Sequence, residues 1–169
     1  VFIGTLTENK SPLISLEVLN SLAAKGINAK LTLCGDGPQR AVLELKITEY
    51  GFQNKAILLG NVDSEKVKEV LKEAHFLIFI SSSEGWPKAV SEAMWWGCIP
   101  ITTSVSCVPW ILDDGSRGEL VAGNVNEITS LLEEYISDLA KFDNKSAKAM
   151  EWARQYTLEK FEREIKQLL

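Results

Sequence analysis

Residues 76–97 read FLIFISSSEGWPKAVSEAMWWG, and this stretch decides the fold. Phe76 to Ile80 is the longest apolar run in the chain and has the length of a strand. A run with no polar alternation belongs to a strand covered on both faces, the habit of parallel sheets. Ser81 to Gly85 is a polar loop. The spacing then predicts a helix from Trp86 to Trp96, closed by Gly97. Strand, loop and helix in this order make half of a β-α-β unit.

The same alternation runs outward in both directions. Val1–Gly4, Ala29–Cys34, Ala56–Leu59, His75–Ile80, Cys98–Thr102 and Glu119–Val121 read as strands. Ser11-Pro12 has the form of a helix cap followed by proline at the first helical position. Ile14, Val18, Leu19, Leu22 and Ala23 form the stripe of that helix, and Gly26 ends it. Further helices are expected from Gln39 to Tyr50 and from a cap at Asp63 or Ser64 to Glu73. Two or three helices finish the chain, with Leu158, Phe161, Ile165 and Leu168 as one apolar stripe and a linker near Asp143–Ser146. Repeated β-α units imply right-handed crossovers and a doubly wound parallel α/β sheet of Rossmann type. We assign residues 1–169 to one such domain. The chain opens in what reads as the middle of a strand, so we expect a piece of a longer protein cut at a linker.

Composition agrees with a globular domain. The chain has 169 residues, 46% of them hydrophobic and 24% charged. A domain of that size buries a core without disulfides or a structural metal. The net charge of −5 disfavours nucleic acid as a partner, since phosphate neutralisation needs a basic face. Cys34, Cys98 and Cys107 form no CxxC pair, and His75 is the only histidine. They read as reduced thiols in a cytosolic setting, and His75 as structural. No apolar run approaches the ~20 residues of a membrane-spanning helix.

In a doubly wound sheet, ligands bind beyond the carboxyl ends of the strands. The polar loops there are Thr5–Lys10, Gly35–Pro38, Gly60–Val62, Ser81–Lys88 and Thr103–Pro109. No GxGxxG follows the first strand, and there is no P-loop or DxD motif. Asp113-Asp114-Gly115 reads as a surface turn. Glu84 and Glu92 flank the start of a helix, whose free N–H groups and partial positive charge suit a phosphate. Gly85 permits close backbone approach. Carboxylates accept hydrogen bonds only, which suits sugar hydroxyls. Taken alone, the two glutamates also fit a blander role, complementing the helix dipole or facing solvent.

The stretch Glu84 to Pro100 resembles the E-x7-E signature of the retaining group 1 (family four) glycosyltransferases, with one extra residue before the final proline. Gly4 to Lys10 resembles the family's GRLxxxKG segment. Leu33 to Pro38 resembles its VGDGP, and Leu59 to Val62 its LGxV. The resemblance implies a GT-B enzyme, two Rossmann-like domains with a cleft between them, of which this chain matches the C-terminal, donor-binding half. The acceptor half is absent from the chain. In such enzymes the last helix crosses back to the first domain, so we expect the stripe beyond Tyr156 to be partly exposed.

Site roles follow from the resemblance alone. Glu84 would hold donor hexose hydroxyls and Glu92 the ribose hydroxyls. Lys10 would bind the diphosphate, with Glu84 and Lys10 carrying the catalysis. Gly4, Thr5, Gly35 and Asp36 would line the donor site, and the backbone of Gly60, Asn61 and Val62 would face the base. Gly85, Trp86 and Lys88 would stand at the sugar and phosphate, Pro87 lacking an N–H to offer. No metal or other cofactor is implied. The partners implied are a nucleotide-sugar donor, here a UDP-sugar, and a sugar or lipid-linked glycan acceptor. The setting implied is the cytoplasmic face of a bacterial membrane, in surface polysaccharide or glycolipid synthesis, with peripheral membrane association of the full-length protein. The isolated domain is expected to bind nucleotide and transfer little.

Two positions depart from the family pattern. Thr5 replaces an Arg whose pairing with phosphate would contribute about 1.5–3 kcal/mol. Lys88, in the first helical turn, either replaces that charge or is a surface lysine. Trp110 stands where the family usually has Glu, and it either shapes sugar selectivity or packs. Two other readings stay open on sequence: a nucleotide-sugar 2-epimerase, which needs a histidine at the site, and a degenerate donor domain serving as a scaffold.

Overall fold

The computed structural model describes residues 1–168, and every strand ladder in it is parallel. The strands are β1 (Phe2–Ile3), β2 (Leu31–Cys34), β3 (Ala56–Gly60), β4 (Phe76–Phe79), β5 (Ile99–Thr103) and β6 (Glu119–Val121). The helices are α1 (Pro12–Ala24), α2 (Arg40–Glu49), α3 (Ser64–Glu73), α4 (Lys88–Trp95), α5 (Val108–Leu112), α6 (Val125–Ser137), α7 (Leu139–Ala153) and α8 (Leu158–Leu168).

The strands form two three-stranded halves, β1-β2-β3 and β4-β5-β6. Val1 joins them. Its amino group donates to Phe76 O at 2.7 Å, and its carbonyl accepts from Ile78 N at 3.0 Å. The spatial order is therefore 3-2-1-4-5-6. The chain winds outward from β1, returns to the centre and winds outward again from β4. That reversal makes the crevice between the β1 and β4 loops the switch point, where ligands bind in sheets of this order.

β4 is covered on both faces, as its apolar run requires. Leu77 and Phe79 pack into a cluster with Val90, Met94 and Trp152, on one side of the sheet. Ile78 and Ile80 pack into a cluster with Val18, Leu22, Ile128 and Leu132, on the other. Alternate residues of a strand point to opposite faces, so each serves a different core. Full burial of a side chain such as Leu77 stabilises by roughly 1.5–3 kcal/mol. A third cluster, with Phe2, Leu16, Leu33 and Leu43, fills the space beneath α1 and α2.

Three sequence expectations need correction. Asp143–Ser146 is not a linker, because α7 runs through it. Lys145 Nζ binds Gly115 O at 2.8 Å and Gly118 O at 3.1 Å and pairs with Glu119. Ser146 Oγ donates to Gly97 O at 2.7 Å. These polar residues anchor α7 to its neighbours, which composition alone misreads as a solvated hinge. Ser11 precedes α1 but does not cap it with its side chain. A 3-10 turn over Glu8–Lys10 leaves Ser11 at φ 45°, and its hydroxyl donates back to Glu8 O at 3.0 Å. Trp86 and Pro87 lie outside α4, which starts at Lys88.

Asp63 does cap α3, its carboxylate accepting from Lys66 N at 2.8 Å. In α8, Ile165 is exposed, so the terminal stripe is not wholly buried. The side chains of Leu158, Phe161 and Leu168 lie outside the described residues. Among those described, no helix is long and apolar enough to cross a membrane.

Candidate active site at the sheet switch point

The loop after β4 lies between the loops after β1 and β5, because strand order fixes loop order. The β1 loop grips it from one side. Asn9 O accepts from Ser82 N at 3.0 Å, Asn9 Nδ2 donates to Ser83 O at 3.4 Å, and the Ser82 hydroxyl meets the Asn9 side chain. One residue further on, Lys10 Nζ forms an ion pair with Glu84 Oε1, and it lies 5.1 Å from the centre of the Phe79 ring. The Glu84 side chain is 6% exposed and that of Lys10 is 20% exposed. A carboxylate buried to that degree needs a cation or several donors, and Lys10 is its cation. From the other side, Thr103 Oγ1 accepts from Ser81 N at 3.1 Å and donates to Ser81 O at 2.5 Å.

The glycines of the β2 loop serve chain packing. A Cβ at Gly35 would lie 1.9 Å from Gly4 O, and one at Gly37 would lie 2.7 Å from Leu6 O. Both residues also have positive φ. The β1 and β2 loops touch through these positions, with Leu6 N donating to Asp36 O at 3.0 Å. Asp36 shapes the turn, its carboxylate accepting from Gly37 N at 2.7 Å. Gly60 has φ +72° and accepts from Gly35 N at 2.8 Å. Asn61 is exposed and Val62 half-buried, and Thr5 is exposed. Gly85 differs from Gly35: a Cβ there would meet nothing within 4 Å. Neither backbone conformation nor packing within the chain requires glycine at that point.

Lys88 is exposed at the first turn of α4. Its N–H donates to Trp86 O at 3.0 Å, across the turn that leads into the helix. Glu92 lies one turn further along and faces a groove of about 440 Å³ shared with Trp86, Ser91, Trp95, Trp96, Trp152, Ala153 and Tyr156. Burial pushes the Glu92 carboxyl above the usual range, and nearby Lys88 pulls it partly back. Neither Glu84 nor Lys10 lines this groove. Glu84 and Glu92 thus share a loop-helix segment but face different surroundings. Trp86 is 54% exposed and Trp110 59% exposed, and their rings lie 6.2 Å apart. Trp110 also meets Trp152 edge-on at 5.7 Å.

Sequence reasoning missed Asn9 and Arg40. Asn9 carried a signal in standing next to Lys10 in a polar loop. Arg40 reaches Asp36 at 3.5 Å and Glu44 at 2.8 Å, and its guanidinium lies 3.4 Å from where a Gly60 Cβ would stand. It brings a second cation to the β2 and β3 loops, which no spacing rule announced. His75 sits at the amino end of β4, its ring 5.7 Å from that of Phe142, at the opposite end of the strand from Glu84.

The family model described as glycosyl transferases group 1 matches residues 1–155. A curated relative, the phosphatidylinositol N-acetylglucosaminyltransferase GPI3 subunit of Saccharomyces cerevisiae, is 24% identical over 160 residues. The match covers 90% of this chain and 35% of that protein. The chain therefore spans about a third of that relative's length. Among solved structures, the C-terminal domain of the group 1 family protein LpcC from Francisella tularensis superposes with a TM-score of 0.80 at 21% identity. That match covers 91% of this chain and 83% of the other. Anabaena Alr3699/HepE, solved in complex with UDP, superposes with a TM-score of 0.83 at 18% identity, over 99% of this chain and 48% of its own. These likenesses establish the fold.

Proposed function

Since the chain belongs to the group 1 glycosyltransferases, we propose that it binds a nucleotide-diphosphosugar, with UDP as the nucleotide, for retaining glycosyl transfer. The acceptor, a sugar or lipid-linked glycan, is bound by a further domain of the full-length protein. The setting is surface polysaccharide or glycolipid synthesis at the cytoplasmic face of a membrane, with the full-length protein attached peripherally. Support comes from the UDP named in the complex of a structural neighbour and from the phosphatidylinositol N-acetylglucosaminyltransferase named among the relatives.

The observation that carries this reading is the Lys10–Glu84 pair, drawn from the β1 and β4 loops to the switch point. Lys10 and the amino end of α4 meet the negative charge of the diphosphate as it leaves, with no metal or other cofactor required. Glu84 accepts from hexose hydroxyls and Glu92 from ribose hydroxyls. Gly4, Thr5, Gly35 and Asp36 floor the site, Gly60 to Val62 offer backbone to the base, and Gly85, Trp86 and Lys88 flank the sugar and phosphate. The acceptor oxygen bonds to the anomeric carbon on the face the phosphate leaves. The bond from that carbon to the phosphate oxygen breaks, and the departing phosphate takes the acceptor proton. The isolated domain binds donor and transfers little, lacking an acceptor site.

The epimerase alternative requires a histidine beside the sugar, and His75 stands at the far end of β4. The test is a calorimetric titration of the chain with UDP, GDP and ADP, each with and without Mg²⁺. Selective binding of UDP, independent of Mg²⁺ and weakened by Glu92→Ala, is expected. Equal failure of all three at millimolar concentration in the full-length protein would overturn the reading.

A further inference from the structure

The Gly85 carbonyl is held by two side chains of the β5–α5 loop. Ser106 Oγ donates to it at 3.1 Å and Cys107 Sγ at 3.4 Å. The two donors reach across 21 and 22 positions of sequence to one backbone oxygen. Ser106 stands at φ +51°, a region unusual for residues other than glycine, asparagine and aspartate. A strained position persists when the surroundings over-determine it.

This clamp has a consequence for the neighbouring donor. The Gly85–Trp86 peptide is planar and trans, so its C=O and N–H point in opposite directions. β4 lies between β1 and β5 in the sheet. Fixing the carbonyl toward the β5 loop turns the Trp86 N–H away from that loop, and the Lys10–Glu84 pair stands on the β1 side of the β4 loop. Among the described residues, the Gly85 and Trp86 N–H groups donate to no acceptor of the protein. A glycine peptide with open space around it turns easily unless something holds it.

We infer that Ser106 and Cys107 are positioning residues, which fix the Gly85–Trp86 peptide so that the Trp86 N–H is presented to the anionic part of the donor. The inference rests on the donor-site reading above. It gives the β5–α5 loop a part in donor affinity through hydrogen bonds to the backbone, without contact of its own with the donor.

The test uses the 169-residue chain, UDP as the probe, and amide NMR with calorimetry. Ser106→Gly removes the hydroxyl and relieves the strained φ, so it does not act by misfolding. Ser106→Gly with Cys107→Ala removes both donors, and Ser106→Gly with Cys107→Ser restores one hydroxyl. UDP is expected to shift the Trp86 amide strongly in the wild type. The double removal is expected to weaken UDP about 5- to 10-fold and to shrink that shift, with unchanged Tm, and Cys107→Ser to recover part of both. Equal affinity and an equal Trp86 shift in the double removal would overturn the inference. Absence of UDP binding by the wild type in both the chain and the full-length protein would instead overturn the donor-site reading beneath it.

Discussion

Glu84 and Lys10 are 74 positions apart in sequence and form an ion pair whose carboxylate side is almost fully buried. The pair fastens the β4 loop to the β1 loop at the point where the sheet reverses direction. One contact thus serves both stability and the site. Breaking a buried pair leaves an uncompensated charge, and that penalty exceeds the net worth of the pair. Glu84→Ala strands the Lys10 ammonium, which is partly solvated. We expect a loss of about 1–3 kcal/mol in urea unfolding, with Lys10→Met together with Glu84→Gln recovering part of it. An equal loss in Glu84→Ala and in the double variant would show no coupling.

Glu92 should show stability and binding moving in opposite directions. Its folded pKa is raised by burial, so the folded state holds the proton more tightly than the unfolded chain. Stability from this group is present at low pH. It is lost as pH rises from the ordinary carboxylate range through the raised folded value. Glu92→Gln removes the charge and is expected to raise the unfolding free energy slightly at pH 7, by less than about 1 kcal/mol for a group this solvated, and to make no difference below pH 4. The same change should weaken UDP, because the amide accepts less strongly from hydroxyls. A variant less stable at pH 7 than the wild type would contradict the stability half of this expectation.

Gly35 and Gly85 invite opposite outcomes from the same substitution. At Gly35 a Cβ would lie 1.9 Å from Gly4 O with φ at +133°, and the backbone cannot yield cheaply. Gly35→Ala should cost at least about 3 kcal/mol, read by thermal unfolding. At Gly85 a Cβ meets nothing, so Gly85→Ala should leave stability within about 1 kcal/mol and lower UDP affinity. If Gly85→Ala bound UDP as the wild type does, close approach of a ligand there would be wrong.

Thr5 is exposed where the family carries an arginine, and two cations are candidates to replace it. Lys88 lies at the start of α4, and Arg40 is held between Asp36 and Glu44 beside Gly60. Lys10→Ala is expected to weaken UDP about 10- to 100-fold. Lys88→Ala should weaken it several-fold if that side chain compensates for Thr5. Unchanged affinity in Lys88→Ala, beside a loss in Lys10→Ala, would leave Lys88 a surface lysine.

The thiols should separate by reactivity. Burial pushes Cys98 up to about 12 and raises Cys34 as well. Cys107 alone of the three is partly exposed. A disulfide reagent at pH 8 is expected to modify one thiol quickly, and mass mapping should place it at Cys107. Fast reaction at Cys98 would require opening of the core around α4.

Much of the architecture was legible in local sequence. The uninterrupted run Phe76–Ile80 implied a strand between two cores, and Leu77 and Ile78 do serve opposite faces. Glycine positions and the Asp63 cap marked element ends for backbone reasons that act within a few residues. The same locality misled at Asp143–Ser146, where polar residues looked like a hinge. Their partners, Gly97, Gly115, Gly118 and Glu119, lie far away in sequence.

The sequence by itself determined the order of strands and helices, and with it the loops that share the carboxyl edge of the sheet. Periodicity and turn chemistry are short-range properties, so a linear reading captures them. Tertiary structure alone decided which groups meet there. Lys10 with Glu84, Ser106 and Cys107 with Gly85, Arg40 beside Gly60, and Glu92 among tryptophans each depend on the order in which strands stack. That order comes from burying both faces of one sheet at once, and no single stretch of residues contains it.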